Sequence, residues 1–146
     1  MKKMFSLTLI VFLNMYLIAQ NPMDERLYDK VKSEIGEDAK ELYACGGSKQ
    51  NERLFGGVCS ITLNKGLRYR FTCGNSDKSS GAVTIMLSFK EAEKMEEKKI
   101  ESIKVDRAEV DNFEFLCDKT GRYSLSSSFD KEGYGYEVTI ISQVLE

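Results

Sequence analysis

Val58-Cys59-Ser60-Ile61-Thr62-Leu63-Asn64-Lys65-Gly66-Leu67-Arg68-Tyr69-Arg70-Phe71-Thr72-Cys73 is the stretch that decides the fold. Cys59, Ile61 and Leu63 alternate with Val58, Ser60 and Thr62, and then Leu67, Tyr69, Phe71 and Cys73 alternate with Arg68, Arg70 and Thr72. A period of two sends the two sets to opposite faces, so each run reads as a half-buried strand. Asn64-Lys65-Gly66 between them has turn chemistry and predicts a hairpin.

The same alternation continues outward from this stretch. Val83, Ile85, Leu87 and Phe89 share one face, with Ala82, Thr84, Met86 and Ser88 on the other. Phe113, Phe115 and Cys117 follow, with Asp111-Asn112 read as the turn entering that strand, and after Asp118-Lys119-Thr120-Gly121 come Tyr123, Leu125, Ser127 and Phe129. The last strand is predicted to carry Tyr136, Val138, Ile140 and Ser142 inward, and weaker strands are expected over residues 41–45 and 102–105. About seven or eight short strands joined by glycine-bearing turns predict a mainly β chain, an antiparallel jelly-roll-like β-sandwich over residues 37–146. The Glu- and Lys-dense run 90–99 reads as a solvated helical turn or charged loop.

Before the sandwich, Met23, Leu27, Val31 and Ile35 recur every four residues among charged ones, which predicts one N-terminal amphipathic helix within residues 20–36. Pro22 stands near its start, Asp24 and Glu25 in its first turn, and Gly36 just past its last apolar residue. Further upstream, Lys2 and Lys3 precede an apolar run from Met4 to Ala19 that ends at Gln20-Asn21-Pro22. Residues 1–19 therefore read as a bacterial secretory signal peptide, since the run is shorter than the roughly 20 residues that span a bilayer. The expected product is periplasmic or secreted, without stable membrane insertion after cleavage. Removing residues 1–19 takes away two lysines and no acid, which moves the formal charge from −2 to −4 and argues against a nucleic-acid surface.

Four cysteines, Cys45, Cys59, Cys73 and Cys117, follow the signal segment. Their spacing lacks the close pairs of a zinc site, and an even count in an exported chain reads as two disulfides, for which three pairings exist. Tyr69-x-Phe71-x-Cys73 and Phe113-x-Phe115-x-Cys117 have the same form, so both cysteines are expected to face the core. With those strands as neighbours, Cys73 pairs with Cys117, and Cys45 closes a short loop with Cys59.

Leu63-x-x-Gly66-x-x-Tyr69-x-Phe71, then Phe113-x-Phe115 and Thr120-Gly121-x-Tyr123-x-Leu125, resemble the strands of exported bacterial sandwich proteins similar to the pre-peptidase C-terminal domain. The resemblance covers roughly residues 53–144. It implies an accessory role beside exported enzymes, in contact with substrate or envelope.

The chain has no histidine, which excludes a Ser/His/Asp triad, a Cys/His pair and any imidazole metal ligand. Glu109, Asp111 and Glu114 loosely resemble the acidic strand of retaining sandwich glycosidases, but the chain has no tryptophan to line sugar subsites. The loops 74–81 and 130–133 offer oxygens, yet each holds a lysine and lacks the acid density of a calcium site. No catalytic residue, metal or cofactor is predicted. Tyr134, as an exposed aromatic, and Arg68 and Arg70, as a solvent-facing cationic pair, are the candidate binding residues. The expected function is a non-catalytic binding or accessory module for an envelope or extracellular glycan or protein. A structural or inhibitory interaction domain is the alternative, and a small glycosidase-like hydrolase a remoter one.

Overall fold

The computed structural model describes residues 25–51, 53–55, 57–90 and 97–145. The signal-type segment 1–19, Pro22 to Asp24 and residues 91–96 of the charged run lie outside the described residues. Helix α1 (Glu25–Ser33) precedes strands β1 (Ala39–Gln50), β2 (Arg53–Phe55), β3 (Val58–Leu63), β4 (Arg68–Asn75), β5 (Val83–Lys90), β6 (Glu97–Val105), β7 (Val110–Leu116), β8 (Gly121–Phe129) and β9 (Tyr134–Val144).

Among the described residues the strands pair antiparallel into a five-stranded sheet, β2-β1-β9-β4-β7, and a four-stranded sheet, β3-β8-β5-β6. Without the short edge strand β2, this is the strand order of a jelly roll. Ile61, Leu63, Tyr69, Phe71, Leu87 and Tyr123 form the centre of the core between the sheets. The alternation read from β3, β4, β5 and β8 thus assigns their inner faces as found.

Connectivity differs from the hairpin reading. β3 pairs with β8 and β4 with β7 and β9, so Asn64-Lys65-Gly66 carries the chain from one sheet to the other. The 118–121 turn makes the same crossing beside it, and the two corners are bonded: Gly66 N–H donates to Cys117 O at 2.8 Å, and Lys65 N–H to Thr120 Oγ1 at 2.8 Å. Each corner is tied by a buried tyrosine. Tyr69 Oη accepts from Asn64 N–H at 3.0 Å, and Tyr123 Oη–H donates to Lys119 O at 2.7 Å.

The bond Cys45–Cys59 is present and joins β1 of one sheet to β3 of the other. Cys73 and Cys117 are both buried and free, which corrects the predicted second bridge. The strands are neighbours, but they run antiparallel, so their like motifs are reversed: Phe71 faces Phe113, Tyr69 faces Phe115, and Cys73 faces Asp111. Cys117 meets Leu67 instead, where its N–H donates to the carbonyl at 2.9 Å. Six residues of extended strand separate the two thiols, about 20 Å, far beyond disulfide reach.

The final strand is also turned over relative to expectation. Ile141 packs in the core between the sheets, whereas Val138 and Ile140 point outward beneath Leu27 and Val31 of α1 and Ile35 just after it. The helix therefore covers the outer face of the five-stranded sheet, and both faces of β9 are buried. Gly74 permits that contact: a Cβ there would lie 2.3 Å from Val31 Cγ2. The weaker strands are longer than predicted, β1 by seven residues and β6 by five, and Glu97 to Lys99 of the charged run belong to β6. Asp111 and Asn112 lie within β7 and not in a turn.

Two predictions follow from the packing and the cysteines. Gly74→Val lifts α1 from the sheet and costs about 1–3 kcal/mol in denaturant unfolding, with the sandwich retained. Thiol titration of oxidised protein gives two reactive groups after denaturation without reductant and none in the native state, with peptide mapping recovering a Cys45–Cys59 link.

Candidate functional site

The arginines and the tyrosine singled out from sequence stand on one sheet but at opposite ends. Arg70 is opposite Ser142 of β9, while Tyr134 begins that strand opposite Gln50, eight residues away or about 27 Å. Tyr134 is 50% exposed. Arg70 is spoken for by the protein itself: Nη1–H donates to Ile35 O at 2.6 Å, Nη1 and Nη2 grip the Asp38 carboxylate at 2.8 Å each, and Nη2 reaches Glu114 Oε1 at 2.7 Å. These bonds hold the Arg70 guanidinium firmly protonated and Asp38 below the usual carboxylate range. Arg68 pairs with the same Glu114 at 3.5 Å. Arg70 fastens the segment that follows α1 to the sheet.

The acidic strand does not gather its carboxylates. β7 pairs with β4 without a bulge, so Asp111 lies on the same side as Phe113 and Phe115, and Glu114 lies on the other beside Arg70. Carboxylates on opposite faces of a sheet cannot share a glycosidic bond. Among the described residues no three His, Cys, Asp or Glu side chains converge to hold a metal ion.

The outer face of the four-stranded sheet presents a different surface. Inner positions of β3, β5 and β8 are apolar except Ser127, and register aligns the outer ones into rows. Ser60, Ser124, the buried Ser88 and Lys99 form one row; Val58, Ser126, Met86 and Ser102 the next; Ser128, Thr84 and Lys104 a third; Thr62 and Arg122 stand beyond the first. Arg122 Nε–H donates to Ser60 Oγ at 2.6 Å, and Ser88 Oγ–H donates to Glu97 Oε1. Lys104 pairs with Asp130 at 3.2 Å. The charged groups stay at the rim, and the hydroxyls of Ser124, Ser126 and Ser128 along β8 are left for an outside partner. Rows about 4.8 Å apart across strands and nearly 7 Å apart along them make a hydroxyl lattice. Val58 is 68% exposed and, with Met86, supplies its apolar contact.

No family model matches the sequence, and no curated protein does. Among solved structures, the chain is similar to Clostridium thermocellum endo-1,4-beta-D-xylanase 10B, CBM22-1-GH10 modules complexed with xylohexaose. That likeness has a TM-score of 0.44 and 15% identity, and covers 77% of this chain. The chain spans a quarter of the length of that xylanase chain.

One group that sequence reasoning missed is Glu137. Its position between Tyr136 and Val138 marked it as outward, but β9 is turned over, and Glu137 enters the sandwich with 6% exposure. It sits by a cavity of about 10 Å³ beside the Cys45–Cys59 bond, Ile85, Leu125 and Ser127, room for one water at most. Burial pushes the Glu137 carboxyl up to about 7 from an ordinary 4.5, against hydrogen bonds from Ser127 and from Thr139 Oγ1 at 3.2 Å that pull it down. The adjacent buried Cys73 thiol is pushed up to about 12 by the same loss of solvent.

The acid form of Glu137 is the one that the fold prefers. Below pH 4.5 its contribution is complete; between 4.5 and 7 the unfolded chain gives up the proton first and stability falls; above 7 the decline ends. Glu137→Gln removes that decline. Unfolding free energy measured from pH 4 to 8 then drops for the parent, by up to about 3 kcal/mol, and stays level for the variant across the same window.

Proposed function

We propose that the protein is an exported, non-catalytic binding module, periplasmic or secreted, and that the outer face of its four-stranded sheet takes an uncharged glycan of the envelope or extracellular space. The observation that carries this reading is the alignment of Ser60, Ser124, Ser126, Ser128, Thr84 and Ser102 in cross-strand rows with charge kept to the rim. Hydroxyls donate and accept, serine loses little side-chain entropy on binding, and a flat polar lattice matches a ligand made of hydroxyls. The opposite outer face is closed by α1.

A protein partner suits this face less well, because protein interfaces draw their energy from aromatic and Arg anchors, and Val58 and Met86 are the apolar groups here. The sheet edge offers the second reading. Residues 39–47 of β1 have no strand on their outer side among the described residues, and Leu42 and Tyr43 are exposed there. A bulge between Glu41 and Tyr43 interrupts that edge, the usual device against added strands. The cysteine bond between the sheets suits an oxidising compartment.

Without aromatic stacking the expected affinity is weak, with Kd on the order of millimolar. Amide-shift titration with neutral polysaccharides should move the resonances of β3, β5 and β8 outer positions. Ser126→Arg should weaken binding at least tenfold while the unfolding midpoint stays within about 0.5 kcal/mol of the parent, as for other surface changes. Shifts confined to the β1 edge with a protein extract, and none on the serine rows with any glycan, would transfer the function to the second reading.

A further inference from the structure

On the other sheet, where α1 meets the β4–β5 loop and the turn before β7, lies a groove of about 360 Å³. Arg26, Lys30 and Lys78 line it with one acid, Asp77, in a chain whose overall charge is negative. Its walls are held by the protein. Lys30 Nζ donates to Ala108 O at 2.6 Å, and Arg107 Nε–H donates to Asp77 O at 2.7 Å, which fixes the loop against the turn. Ala108 itself takes a left-handed backbone, φ 67°. Among the described residues neither Lys78 nor Lys30 makes an ion pair, so both charges face the groove with Asp77 as the one acid lining it.

The acceptors are as informative as the cations. Asn75 borders the groove at the end of β4, but it pairs with Glu137 and turns its side chain into the sandwich, fully buried, with Nδ2–H bonds to Gly81 O at 2.9 Å and to Val105 O at 3.1 Å. Those two bonds fix its amide orientation, and they leave Oδ1 buried with no donor. The acceptor that the groove itself offers is the Asp77 carboxylate, which suits hydroxyl donors beside the cations that suit negative charge. Its volume lies at the small end of ligand pockets, that of one or two sugar rings.

We infer that this groove is a second binding site, separate from the serine rows, and that it takes an acidic sugar, a ring carrying a carboxylate or phosphate together with free hydroxyls. Lys30 and Lys78 meet the oxyanion and the Asp77 carboxylate meets the hydroxyls. The site stands on different residues of a different sheet, so the two binding surfaces succeed or fail independently.

The test is a titration of the full mature protein, followed by amide shifts, with glucuronate, glucose 6-phosphate, glucose and inorganic phosphate. The expected result is saturable shifts at residues 26–30, 75–78 and 108 with both acidic sugars, at least tenfold weaker with glucose and with phosphate. Lys78→Glu, which leaves the Lys30–Ala108 bond intact, should reduce acidic-sugar affinity at least tenfold with an unchanged unfolding midpoint, and Lys30→Ala should do so by a similar factor. Raising the salt from 20 to 300 mM should weaken binding severalfold. Equal affinity for glucose, equal affinity for phosphate alone, or undiminished binding by Lys78→Glu would each overturn the inference.

Discussion

The contact of Val31 with Gly74 settles which surfaces of this sandwich are available and which are not. A jelly roll has two outer faces, and in this chain the helix that precedes it must bury Leu27, Val31 and Ile35 somewhere. Gly74 leaves room on β4 for the Val31 and Leu27 side chains of the helix, and Arg70 then ties the segment that follows it through Ile35 O and Asp38. Burying three aliphatic side chains from water contributes several kcal/mol, on the order of 1.5–3 each at full burial, so the covered face is not readily exchanged for the other. The four-stranded sheet keeps its polar outer rows in water as a result, and the groove of cations exists because the helix runs along the sheet rather than beyond it.

Much of the fold was legible because most strands are buried on one side only. Val83, Ile85, Leu87 and Phe89 against Thr84, Met86 and Ser88 leave no doubt about which face is inner. The same logic misassigned β9, where Ile140 meets the helix and Ile141 the core: once both faces are covered, alternation no longer says which is which. Turn chemistry at Asn64-Lys65-Gly66 was equally visible, but a corner between two sheets and a hairpin use the same residues. The matching aromatic-x-aromatic-x-Cys motifs misled for a geometric reason, since equal patterns on antiparallel neighbours place equal residues at opposite ends.

The binding surfaces were less legible than the fold. Each serine of the rows could be seen as an outward position of its own strand, but their alignment is a property of register between β3, β8 and β5, which are distant in sequence. The groove draws Lys30, Lys78 and Ala108 from three separate segments. By contrast, Arg68 and Arg70 stood out in sequence as a cationic pair, and their partners Asp38 and Glu114 lie 32 and 44 residues from Arg70. A charge conspicuous in sequence can be neutralised in space, and an inconspicuous one left free.

The placement of the cysteines bears on how the chain is assembled in an oxidising compartment. Cys45 and Cys59 are 14 residues apart, the shortest separation any two of the four cysteines have, shared with Cys59 and Cys73. Loop length alone therefore does not favour one partner of Cys59 over the other, and only one of them gives the native crosslink. The outcome is decided by the sheet: when β4 pairs with β9, Cys73 is drawn into the interior beside Thr139 and withdrawn from exchange. Strand pairing in the five-stranded sheet thus keeps the competing thiol out of reach in the folded protein, and the bond of Cys45 to Cys59 ties the two sheets together.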